Sequence, residues 1–295
     1  MSKMSLKNVV GGRLSLPDRI VLFGPDGIGK STTASEAPKP IFLGSEDGTA
    51  RLDVSRFPEP SSWEDILGAV DVLLNESHDY ETFVLDTIDW AEPLCWDYVC
   101  QRDGKANIED YGYHKGYITA VDQWRVFLHK LDALRKTRNM RIILLGHSVI
   151  KLFKNPQGDD YDRYEMKLEK KAAAIVREWA DCVLFANYET FTREAGGRTK
   201  GIDNGARVLY TERRAAYDAK NRQGLPGRMP LSWAELQGAL DKGEVDLTSQ
   251  YNELLPQLED SKVRKAAEEG FKKTGQGKDR AKLAVLVNWM KGKIE

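Results

Sequence analysis

Apolar residues enter this chain in short unbroken runs, separated by stretches where they recur every three or four positions. Arg19-Ile-Val-Leu-Phe23 is the first run, and Pro40-Ile-Phe-Leu43, Thr82-Phe-Val-Leu85, Arg141-Ile-Ile-Leu-Leu145 and Asp181-Cys-Val-Leu-Phe185 repeat it. Runs without polar alternation predict strands buried on both faces of a parallel sheet. Between them, Trp63, Ile66, Leu67, Val70, Leu73 and Leu74 share one helical face, as do Val121, Trp124, Leu128, Leu131 and, nearly, Leu134. Strands alternating with helices predict an α/β fold whose mostly parallel central sheet is flanked by helices.

Beyond Phe185 the pattern changes to short strands and turn signals: Glu189 to Thr192, a turn at Glu194-Ala-Gly-Gly197, Arg207-Val-Leu-Tyr-Thr211 and a last strand near Ala216. Leu225-Pro226-Gly227 and Pro230 then break the chain before an amphipathic helix with Ser232 as its N-cap. From about Thr248 the sequence is charged and helical, interrupted at Lys273-Thr-Gly-Gln-Gly-Lys278. The expected organisation is an N-terminal arm (1–18), an α/β core (19–245) and a helical basic C-terminal tail (246–295). In that tail, Leu283, Leu286, Val287 and Met290 form an apolar stripe expected to dock on the core or on a neighbour.

Composition narrows the partners rather than the fold. Lys and Arg total 44 against 45 acidic residues, so there is no global basic field, and any nucleic-acid contact must come from a local patch. The three cysteines, Cys95, Cys100 and Cys182, have no metal-ligand spacing and read as buried thiols. No apolar run approaches the roughly 18 residues of a membrane span, and the N-terminus has no signal-peptide pattern. A cytoplasmic setting without membrane contact is expected.

The candidate chemistry lies just after the first strand. Gly24-Pro25-Asp26-Gly27-Ile28-Gly29-Lys30-Ser31, followed by Thr32, has the G-x-x-x-x-G-K-[ST] spacing between a predicted strand and a predicted helix. In such a loop, glycines let backbone N–H groups converge on phosphates, the Lys reaches β and γ oxygens, and the hydroxyl ligates Mg²⁺. ATP and Mg²⁺ are the expected ligands. A second carboxylate must hold the metal, and Asp86, after a wholly apolar strand, fits that role. Many ring ATPases carry a Glu directly after that Asp; here the position is Thr87. The water-activating base must therefore come from elsewhere. Glu46, just beyond the second strand, is the best placed candidate, with Asp47 as the alternative. The fourth strand ends Leu145-Gly146-His147, which makes His147 a candidate γ-phosphate sensor.

Together with Gly44-Ser-Glu-Asp-Gly48, Leu85-Asp-Thr-Ile-Asp89, Tyr113-His-Lys-Gly-Tyr117, Ile175-Val-Arg-Glu-Trp-Ala-Asp181 and Ala219-Lys-Asn-Arg-Gln-Gly-Leu-Pro226, these residues resemble the RecA-like P-loop ATPases. In particular they resemble the phage-encoded AAA-type group that includes the Sak-type single-strand annealing ATPases, over about residues 17 to 240. The resemblance implies a catalytic Glu at the second strand, matching Glu46, and implies that Lys220 and Arg222 act across a subunit boundary. Two departures stand out: RecA carries a Gln where His147 stands, and Asp47 leaves the register of the catalytic carboxylate open by one residue.

Two polar segments, Gln101 to Lys115 and Lys151 to Lys171, are expected as long loops that interleave cations with Tyr111, Tyr113, Phe153, Tyr161 and Tyr164. That mixture suits single-stranded DNA, because phosphates pair with cations and bases stack on rings. Between Ser261 and Lys293, ten Lys or Arg stand against three acids. The leading expectation is a DNA-stimulated ATPase that assembles as a homo-oligomeric ring or filament on single-stranded DNA, with a single-strand-binding protein as a further partner. The competing classes are a thymidylate-like nucleotide kinase, suggested by the loop and by Asp162-Arg163-Tyr164, and an ATP-gated DNA-binding or loader protein with little turnover.

Overall fold

The computed structural model describes residues 9, 16–44, 51–195, 198–243, 247–274 and 280–294. The chain divides into two compact units, Pro17–Gly243 and a second that contains the residues from Glu244 onward. In chain order the larger unit holds β1 (Arg19–Gly24), α1 (Lys30–Ser35), β2 (Pro40–Gly44), the two-residue β3 (Ser55–Arg56), α2 (Trp63–Asn75), β4 (Thr82–Asp86), α3 (Ile88–Arg102) and α4 (Lys115–Ala133). There follow β5 (Arg141–Phe153), β6 (Tyr161–Met166), α5 (Lys170–Trp179), β7 (Cys182–Ala195), β8 (Arg198–Tyr210), β9 (Lys220–Asn221), β10 (Arg228–Pro230) and α6 (Trp233–Gly243).

The strand order is β10-β8-β7-β1-β5-β4-β2-β3. From β7 to β3 every neighbour is parallel, while β8, β9 and β10 are antiparallel additions. The α/β fold, with its mostly parallel sheet flanked by helices, is thus the one the runs of apolar residues predict. Each buried strand divides its side chains between two cores. Val21, Phe23, Phe83, Leu85, Ile142 and Leu144 face α2 to α5, whereas Ile20, Leu22, Val84, Ile143 and Leu145 face α1 and α6. This two-sided burial explains why the strands read as continuous apolar runs. On the first face Trp63, Trp124 and Phe127 pack edge to face at ring separations of 5.2 to 6.0 Å. At the start of α2, Ser62 accepts from the Asp65 N–H at 3.1 Å and caps the helix.

Parallel strands bring their C-terminal ends to one edge. Gly24 pairs with His147, and Gly44 pairs with Asp86. The opposite edge is tied by ion pairs, among them Arg19 Nη2 to Asp181 Oδ1 at 2.8 Å.

Several expectations need correction. Lys151 to Lys171 is no long loop, because β5 continues to Phe153 and pairs antiparallel with β6 from Ser148↔Met166 to Phe153↔Tyr161. The apolar run stops at Leu145, but backbone pairing with β6 keeps the chain extended after it leaves the main sheet. The strand expected near Ala216 amounts to isolated bridges at Tyr217. Pro230, read as a chain break, ends β10 at the sheet margin, where its missing N–H is tolerated.

The second unit contains α7 (Leu247–Leu254), α8 (Ser261–Lys273) and α9 (Arg280–Ile294). Leu283, Val287 and Met290 are buried against Tyr251, Leu258 and Ala267, and the Tyr251 and Phe271 rings stack at 4.2 Å. The stripe expected to dock elsewhere therefore closes a small core within its own unit. Among the described residues no helix is long and apolar enough to cross a membrane. All three cysteines are buried free thiols.

Candidate functional site

The loop between β1 and α1 is shaped by its glycines. Gly24 runs so close to β7 that a Cβ there would lie 2.3 Å from the Ala186 carbonyl oxygen, and Gly29 adopts a φ of 107° that L residues rarely take. Lys30 is buried and folds back over the loop, donating to the carbonyls of Gly24 at 3.2 Å and Pro25 at 3.0 Å. Ser31 follows it as the second residue of α1, and Thr32 is exposed. Pro25, Asp26 and Ile28 complete the turn, with Ile28 buried and the Asp26 side chain reaching into solvent.

Asp86 ends β4 almost wholly enclosed, at 1% exposure, and neither carboxylate oxygen has a hydrogen-bonding partner in full geometry. Burial pushes its carboxyl pKa up, opposed by Ser31, Lys30 and His147, which lie around it. A buried carboxylate without a dedicated protein donor, beside a hydroxyl and an ammonium, suits a divalent cation and its water shell. Ser31 and Asp86 therefore fit a Mg²⁺ ion, and the loop fits the phosphates that such an ion accompanies.

His147 joins two parts of this edge. Its Nδ1 lies 2.8 Å from Asp89 Oδ2, its backbone N–H donates to Asp89 Oδ1 at 2.9 Å, and its Nε2 lies 3.2 Å from Asp26 Oδ1 in the loop. Burial raises the Asp89 carboxyl, but the hydrogen bonds from His147 outweigh it and the net shift is downward. Asp89 therefore fixes the ring and leaves Nε2 directed at the phosphate loop.

The structure brings together Gly24 to Thr32, Asp86 and His147, and it separates Lys220 from them. Glu46 and Asp47 lie outside the described residues. Lys220 donates to the carbonyls of Arg177, Glu178 and Ala180 at 2.6 to 2.9 Å, closing the C-terminus of α5. Burial, then the neighbouring Arg222 charge, lowers its pKa. The pair sits at the N-terminal edge of the sheet, where the Arg222 N–H donates to the Asp181 carbonyl, roughly 17 Å of strand away from the phosphate loop. In this chain the Lys220 ammonium satisfies three orphan carbonyls and so caps α5, while the role of Lys220 and Arg222 across a subunit boundary stays an expectation. Arg222 is exposed at the same edge.

The AAA domain family matches residues 16–223. The chain belongs to that family. A curated relative, the SPbeta prophage-derived uncharacterized protein YorG of Bacillus subtilis (strain 168), is 23% identical over 198 residues, covering 64% of this chain. The chain spans about half the length of that relative, 53% of it. Among solved structures, the RadB recombinase overlaps 66% of this chain and 80% of its own at 14% identity, with a TM-score of 0.38. The AAA domain and the geometry of its loop make the chain a P-loop NTPase.

Around the loop of this AAA domain the structure adds residues that the sequence reading passed over. Arg207 of β8 donates to the Ile28 carbonyl at 3.3 Å and lies against Gly29. Its signal was the alternation Arg207, Leu209, which puts both on the α1 side once β8 is known to pair with β7. Asp89 was quoted only as part of a motif, although its place three residues after Asp86 puts it in the first turn of α3. Glu92, one turn further, is buried and accepts the Glu169 N–H with both oxygens, at 3.1 and 3.0 Å. Burial pushes its pKa up to about 7.

The expected DNA surfaces are more neutralised than their composition implies. Arg102 pairs with Asp103 at 2.7 Å, and Lys154 pairs with Asp160 at 2.8 Å. Arg163 is buried over the Phe153 ring at 4.2 Å and bonded to Glu165, away from the phosphate loop, which removes the support that Asp162-Arg163-Tyr164 lent to a kinase. Lys167 remains 61% exposed near Asp89, and Tyr113 is 96% exposed.

Proposed function

We propose that this chain is a Mg²⁺-dependent ATPase that binds single-stranded DNA and promotes phage homologous recombination by annealing or strand exchange, acting as a homo-oligomeric ring or filament. The observation that carries the ATPase part is the buried Asp86 carboxylate, without a full protein hydrogen bond, beside Ser31 and Lys30. The prophage origin of the YorG relative supports the phage setting. The exposed Lys167 beside Asp89 and the exposed Tyr113 ring support a strand partner.

In this reading Lys30 exchanges its carbonyl partners for β and γ oxygens when nucleotide enters, while the loop N–H groups hold the remaining phosphate charge. Ser31 and Asp86 would hold a Mg²⁺ ion, which would supply electrostatic stabilisation of the charge that develops during transfer. Glu46 orients and deprotonates the attacking water, a role resting on its position after β2. His147 reads the γ-phosphate through Nε2, since Asp89 holds its other nitrogen.

Phosphate release with and without a single-stranded oligonucleotide tests this reading. The wild-type rate should rise with the oligonucleotide, and Glu46→Gln should keep Mg-ATP binding while hydrolysis falls by on the order of 10². If Asp47→Asn shows that loss and Glu46→Gln does not, the base is Asp47. No phosphate release under either condition overturns the ATPase proposal.

A further inference from the structure

A cavity of about 490 Å³ opens between the first half of α3, β5 and the segment that joins β6 to α5. Its lining is mostly apolar, supplied by Trp90, Pro93, Trp96 and Val149, with Lys151 and Lys167 among the polar residues. Its size is that of an ordinary ligand site. Trp90 is 54% exposed, so its ring is accessible at the cavity wall. Trp96 is fixed in place by the Tyr117 ring at 5.4 Å.

The charges around the cavity are unequal in availability. Three acids line it, and each already has an internal partner. Asp89 holds His147, Glu92 accepts the Glu169 N–H with both oxygens, and the Glu169 carboxylate caps α5 through the Lys171 N–H at 2.6 Å. Burial of Glu92 further reduces its charge near neutral pH. On the cationic side Lys151 donates to the Leu168 carbonyl and faces Glu92, and Lys167 reaches Asp89 only at 3.8 Å with most of its side chain in water. An aromatic wall with an exposed lysine at its rim suits a base attached to a phosphate.

We propose that this cavity is a slot for an unpaired base of single-stranded DNA, with the base stacked on Trp90 and the adjoining phosphate at Lys167. The assignment rests on the single-strand reading above and gives it a location. It also links the strand to the nucleotide. Asp89 lines the slot and orients His147, while the Lys167 N–H donates to the His147 carbonyl at 2.9 Å, so an occupant of the slot touches the residues that hold the histidine.

The test is binding of a fluorescein-labelled oligo-dT to the full chain with Mg²⁺ and a non-hydrolysable ATP analogue, comparing wild type, Trp90→Ala and Trp90→Phe. Folding of each variant is verified by circular dichroism. Trp90→Ala should weaken binding on the order of tenfold, as loss of one stacked base does, and Trp90→Phe should restore most of it. A 5-iodouracil oligonucleotide on wild-type protein needs no substitution and should photo-cross-link within Ile88–Arg102. Wild-type binding by Trp90→Ala, or cross-links only elsewhere, overturns the slot while the single-strand reading stands. If dTMP competes as well as the oligonucleotide, the cavity takes a mononucleotide and the strand slot is wrong. If wild-type protein binds no single strand with or without nucleotide, both the slot and the reading beneath it fall.

Discussion

Asp86 shows how a single residue can be unfavourable for the empty protein and necessary for its function. Enclosing a carboxylate with so little hydrogen bonding costs folding free energy, and burial accordingly pushes its pKa up. Because the folded pKa lies above the unfolded one, this group's contribution is most favourable below the unfolded pKa and declines as pH rises through the folded value. Asp86→Asn should therefore stabilise the nucleotide-free protein by about 1–2 kcal/mol near neutral pH. The gain in melting temperature should shrink as the pH is lowered. The same variant should lose Mg²⁺-dependent stabilisation by ATP. A melting temperature unchanged at every pH, or intact Mg²⁺ dependence, would show that Asp86 is not the buried metal carboxylate. At this scale the sequence was informative wherever a role follows from spacing along the chain: Gly24 to Ser31, and Asp86 at its strand end. Asp89 and Arg207 were not legible, because their partners, His147 and Ile28, lie 58 and 179 residues away.

Among the elements, α5 and β9 are joined through one side chain. Lys220 enters β9 opposite Val183 and turns its ammonium onto the last carbonyls of α5. Replacing it with Met keeps the aliphatic stem but leaves those carbonyls without their cation. Lys220→Met should lower the unfolding free energy by about 1–2 kcal/mol, read by denaturant titration, while hydrolysis at saturating ATP stays close to the wild-type rate below the melting transition. Collapse of hydrolysis with unchanged stability would return Lys220 to a catalytic role. The five buried parallel strands were legible because burial on both faces leaves an unmistakable apolar run. α3 was not, since its buried stripe includes the small residues Ala91 and Cys95 and is interrupted by Pro93. The β5–β6 hairpin was hidden for a different reason: its pairing is a backbone property, and Lys151, Asp162 and Arg163 read as loop residues.

At the scale of the whole molecule, the region matched by the AAA domain family falls almost entirely within the unit Pro17–Gly243, while the residues beyond it form a unit with its own apolar core. The basic composition of the C-terminal residues was plain from the sequence, but that their apolar stripe closes on Tyr251 and Ala267 was not, because several short helices contribute to the core. The larger unit concentrates the loop, Asp86 and His147 at the C-terminal edge of one sheet, and the account of the molecule as an ATPase depends on Lys30 meeting phosphate there. Steady-state phosphate release from Mg-ATP by wild type and by Lys30→Ala, both shown folded, tests this most directly. Mg²⁺-dependent release by the wild type with only background release by Lys30→Ala is the expected result, whereas wild-type turnover in the variant would contradict the role of Lys30 at the phosphates.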